Sequence, residues 1–156
     1  FSIKADALKA SIHPSEKTQV LSAQVADVLP DGGVAELSYV FGYKTRKLIQ
    51  IALQWSKTSD PALTSERLIA SADTLRNYFV SAGYVAASVA TNGVVPGGIL
   101  YFRGEDVEGR TTVLILNGAA SAEGASPRNF TATSLTLVYL VSAKNPDIYQ
   151  IPPGAF

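Results

Sequence analysis

From Val34 onward apolar and polar positions alternate: Ala35, Leu37, Tyr39, Phe41 and Tyr43 share one face, with Glu36, Ser38 and Gly42 on the other. A period of two is the mark of a strand with one face buried. The alternation breaks at Lys44, Thr45 and Arg46 and resumes with Ile49, Ile51, Leu53 and Trp55 against Gln50, Gln54 and Ser56. The two runs therefore read as an antiparallel hairpin with a basic tip. A second hairpin follows the same logic. Leu100 and Phe102 alternate with Ile99, Tyr101 and Arg103, a glycine-bracketed acidic turn carries Glu105, Asp106 and Glu108, and Thr111, Val113 and Ile115 alternate with Thr112, Leu114 and Leu116. A fifth strand covers 130–141, with Leu135, Leu137, Tyr139 and Val141 on one face.

Between the hairpins the period changes. Asp60 before Pro61, and then Thr64, Ser65 and Glu66, are helix-start residues. Leu68, Ala72, Leu75, Phe79 and Ala82 recur in steps of four and three, which places them on one stripe of a helix that Gly83 ends. Nearer the start, Val20, Leu21, Val25, Val28 and Leu29 fall near helical spacing after Pro14 and a candidate N-cap at Ser15, and predict a helix over 15–29. A strand is the competing reading there, because Val20 and Val28 are β-branched and the surrounding Ser, Ala and Gln fix neither period.

Hairpins split by one good helix, rather than strict alternation of strand and helix, predict an α+β domain. The expected architecture is an antiparallel sheet of about five strands, built from two hairpins plus one strand, with one or two helices packed on one face. The chain reads as a single domain over 1–156. Residues 1–14 form a loosely ordered N-terminal segment, 117–129 a mobile Gly- and Ala-rich loop, and 145–156 an extended tail held by Pro146, Pro152 and Pro153.

Composition narrows the function classes. With 47% hydrophobic and 17% charged residues the chain lies far from the disordered regime. Thirteen basic residues balance thirteen acidic ones, which argues against nucleic acid as a partner. No cysteine and a single histidine, His13, exclude thiol catalysis, disulfides, zinc fingers and iron–sulfur ligation within the chain. No apolar run approaches the ~20 residues that span a bilayer. A start at Phe1 and the lack of methionine read as a processed chain, expected in the periplasm or secreted after removal of a signal peptide.

Candidate chemistry is sparse. His13 precedes Pro14 in the least ordered segment, and no G-x-S-x-G elbow accompanies it. Glu105, Asp106 and Glu108 match no EF-hand spacing and read as a solvated tip. The glycines match neither a Walker loop nor a dinucleotide fingerprint. No catalytic residue, metal ligand or cofactor is assigned, and no stretch carries a family motif. What remains is the basic cluster Lys44, Arg46 and Lys47, able to meet an acidic partner, and the aromatics Tyr39, Tyr43 and Trp55, able to line an apolar groove. The expectation is a noncatalytic exported binding domain with a protein or glycan partner. The competing classes are a small hydrolase using carboxylate or hydroxyl groups, and a carrier of a small apolar ligand held between helix and sheet.

Overall fold

The computed structural model describes residues 8–120 and 130–148. These residues form one antiparallel sheet of eight strands with a single α-helix, so the fold is mostly β rather than a five-stranded sheet carrying one or two helices. In chain order the strands are β1 (Lys9–Ile12), β2 (Gln19–Val25), β3 (Ala35–Phe41), β4 (Leu48–Ser56), β5 (Gly93–Val95), β6 (Gly98–Glu105), β7 (Thr111–Ala120) and β8 (Phe130–Leu140). Helix α1 (Ser65–Val80) lies between β4 and β5. In space the order is β1-β2-β3-β4-β8-β7-β6-β5, two four-stranded meanders joined where β4 pairs with β8.

The three added strands explain the discrepancy. Over 15–29 the expected helix is absent: a turn is followed by β2, whose Leu21, Ala23 and Val25 pair with Tyr39, Leu37 and Ala35. Val20 points to the opposite face, where it pairs with Val40, so apolar content on both faces erases the period of two. Ser15 caps no helix. Its amide and that of Glu16 donate to Nδ1 of His13, at 3.4 and 3.1 Å, which ties the β1–β2 turn together. Strand β1 occupies part of the segment expected to be loosely ordered, and β5 is too short to carry a readable period. Residues 1–7, 121–129 and 149–156, including most of the expected loop and tail, lie outside the described residues.

The helix expected between the two hairpins is present as α1. Thr64 Oγ1 accepts from the Arg67 amide at 3.2 Å, an N-cap, and Leu68, Ala72, Leu75 and Phe79 are buried. The helix packs on β6, β7 and β8, covering Phe102, Leu114, Leu116, Leu135 and Leu137. Phe79 stacks on Phe102 with ring centroids 5.4 Å apart. A bulge between Leu100 and Phe102 turns Ile99 and Phe102 onto this core face and Leu100 onto the other, against the simple alternation.

Candidate functional site

The pairing register brings three turns to one end of the sheet. Gln50 lies opposite Leu140, and Leu140 opposite Thr111, so the β3–β4 tip (42–47) and the β6–β7 tip (106–110) project the same way. The β1–β2 turn (13–18) joins them. Between the two tips stand β4, β8 and β7, with β8 midway, so the tips are three strand spacings apart, about 14 Å.

Their charges are held differently. At the basic tip Lys44, Arg46 and Lys47 are exposed, and the turn is clasped from below by Asp147. The Asp147 carboxylate accepts from Thr45 Oγ1 at 2.6 Å and from the amides of Thr45 and Lys44 at 2.8 and 3.0 Å. Those hydrogen bonds, the Thr45 hydroxyl foremost, hold its carboxyl below the usual carboxylate range. At the acidic tip Arg110 binds Asp106 at 2.7 Å and Glu108 at 3.1 Å, while Arg103 lies 3.5 Å from Glu105. Three cations against one carboxylate leave the first tip basic. Three carboxylates against two arginines leave the second acidic.

An open groove of about 380 Å³ lies between the tips, on the face that carries α1. Leu48, Ile51, Tyr139 and Val141 form its apolar side, and Tyr84, Thr112, Asp106 and Arg110 its polar side. Leu48 is 38% exposed, Tyr139 37% and Val141 51%, large values for apolar side chains that adjoin one another. The helix ends at Val80 and leaves them uncovered. Phe79 meets Tyr139 edge-on at 6.3 Å, and Tyr84 packs on Phe102 at 5.1 Å with its hydroxyl 2.6 Å from Thr112 Oγ1. Burial of the Tyr139 phenol, with Tyr84 and Tyr78 nearby, pushes its ionisation up to about 12.

No protein-family model, curated protein or solved structure matches this chain.

Of the residues singled out in the sequence, Lys44, Arg46, Lys47 and Tyr43 stand at the basic tip. Tyr39 is half-buried further along β3, opposite Leu21 and Ile51. Trp55 forms no part of any surface: it is fully buried opposite Leu135 near the other end of the sheet. Its aromatic ring fills the core, and only its strand register suggested a wall. The space between α1 and the sheet is occupied by Leu68, Phe79, Phe102 and Leu114, which leaves the carrier reading without support. His13 borders a second groove, of about 360 Å³, on the opposite face of the sheet. Its Nδ1 is engaged by the turn, with Ser15 Oγ at 3.3 Å and both amides. Among the described residues no group of His, Asp and Glu is arranged to hold a metal ion, and no helix is long and apolar enough to cross a membrane.

Leu48, Tyr84, Tyr139 and Val141 were not singled out in the sequence. Each reads there as an ordinary strand or loop residue, and only the convergence of β4, β8 and the segment after α1 makes them neighbours.

Proposed function

We propose that this protein is a noncatalytic binding module that engages a protein partner through the groove between its two hairpin tips. One observation carries the reading: Leu48, Tyr139 and Val141, exposed together, are flanked by a basic turn and an acidic turn. An apolar centre inside a polar, charged rim is the anatomy of a protein interface. The scaffold suits the task, because both tips spring from the same hydrogen-bonded sheet, one on each side of β8, and Asp147 clasps one of them.

The test is a screen of displayed peptides and immobilised glycans against the purified protein, with hits mapped by amide chemical shifts. Expected are peptide hits whose shifts centre on Leu48, Tyr139 and Val141 and which weaken at least tenfold in Leu48→Ser/Val141→Ser. Shifts centred elsewhere, glycan-only hits, or binding indifferent to that double substitution would overturn the reading.

A further inference from the structure

We infer that the groove's partner is a second copy of this chain, bound across a two-fold axis beside the end of β8; this rests on the binding-module reading above. A two-fold contact must be self-complementary: whatever one copy offers on one side of the axis, the other must receive. The end of the sheet has that arrangement. The basic tip with Lys44 and Lys47 lies on one side of β8 and the acidic tip with Glu105 and Glu108 on the other, at equal strand spacings. Rotation about β8 sets each basic tip of one copy against the acidic tip of the other, twice. Tyr139 and Val141, on and just beyond β8, then meet their own counterparts at the centre, where exposed apolar surface is removed from water.

The charges fix register and orientation rather than supply the bulk of the affinity. Arg110 already engages Asp106 and Glu108, so the incoming lysines add to an existing ion network instead of meeting bare carboxylates. Glu108 retains 66% of its side-chain exposure, which leaves it open to a second cation. An interface of this kind is moderate in strength and weakens with salt, because exposed pairs are screened over about 8 Å at physiological ionic strength.

Sedimentation velocity over a wide range of protein concentration, at low and at physiological salt, reads the outcome. The wild-type chain should show a dimer at low salt whose fraction falls as salt rises. Lys44→Glu/Lys47→Glu makes both tips acidic and Glu105→Lys/Glu108→Lys makes both basic, so each variant alone should sediment as monomer. Asp106 is left in place because its carboxylate accepts the Glu108 and Arg110 amides that shape the turn. Circular dichroism confirms that each variant is folded, and an equal mixture of the two should regain the dimer, since every tip then faces its opposite. A monomeric wild-type chain, assemblies larger than a dimer, variants that still dimerise, or a mixture that stays monomeric would overturn the inference. If it falls while peptide hits still map to the groove, the binding-module reading survives with another partner; if both fail, that reading falls as well.

Discussion

Gly42 and Asp147 share one volume: a Cβ on Gly42 would overlap the Asp147 carboxylate, which sits beneath the β3–β4 turn and receives its amides. The missing side chain at Gly42 is what lets a residue more than a hundred positions later reach the turn. Gly42→Ala should therefore expel Asp147, and Asp147→Ala should produce much the same state. Overpacking of this sort costs roughly 1–3 kcal/mol when neighbours cannot yield, and Asp147 sits on a chain segment that can. The two substitutions should be clearly non-additive in urea unfolding; additive effects would show that the residues do not act as one unit.

Acid should release the same clasp. The folded carboxyl of Asp147 ionises below its ordinary value of 3.8, so its contribution is complete above that value and is lost as pH falls through the lower, folded one. The stability difference between wild type and Asp147→Asn should be constant near neutrality, shrink as pH falls below 3.8, and vanish once the folded carboxyl is protonated. A difference that persists there would place the effect outside the carboxylate.

Alkali acts in the groove itself. Tyr139 ionises at about 12 in the folded chain against 10 as its ordinary value, so folding favours the protonated phenol. That contribution is fully present below pH 10 and is lost as pH rises toward 12, giving a stability decline over that window. Tyr139→Phe should flatten the decline, and absorbance titration should lose its latest-ionising phenol.

Phe79→Ala removes the ring that stacks on Phe102 beneath α1. Buried Phe→Ala changes cost about 3–5 kcal/mol, and a domain of this size loses roughly 2–4 °C per kcal/mol. A fall in Tm of roughly 6–20 °C is expected from those figures. An unchanged Tm would refute the packing of the helix.

Gly104→Ala tests the aromatic cluster from the sheet side. A Cβ there would stand 2.8 Å from Phe102 Cζ and 3.1 Å from Tyr84 Cδ1. Phe102 is fully buried and cannot retreat, so Tyr84 should be displaced and its hydroxyl drawn away from Thr112. Expected are a loss of about 1–3 kcal/mol and a changed near-ultraviolet tyrosine signal. Wild-type stability and an unaltered spectrum would mean that the ring has room to spare.

Strand and helix were legible in proportion to how one-sided their burial is. Residues Ala35–Phe41 set Ala35, Leu37, Tyr39 and Phe41 on one face, with Val40 alone breaking the alternation, and Leu68, Ala72, Leu75 and Phe79 mark a single stripe. Gln19–Val25 carries apolar side chains on both faces and reads as a helix until Leu21 and Ala23 are seen beside Tyr39 and Leu37. The basic tip was visible because its cations fall within four positions of the sequence. The groove was not. Alternation would set Leu48 on the face of Gln50, but a bulge between Val40 and Phe41 inserts Ile49 and turns Leu48 to the side of Ile51 and Tyr139. Trp55 misled for the opposite reason, since an aromatic on a regular strand looks the same whether it lines a wall or fills a core.

The join between β4 and β8 also sets the order in which the chain can fold. Every other strand pairing links neighbours in sequence, so hairpins on either side can zip early and independently. Bringing Gln50 against Leu140 instead closes a long loop, at an entropic cost on the order of 4 kcal/mol. That closure is recovered when Leu53 and Trp55 meet Leu137 and Leu135, so this seam is where the rate-limiting step is expected. Substitutions at Leu53 or Leu135 should slow folding, while those at the outer strands β1 and β5 should chiefly hasten unfolding.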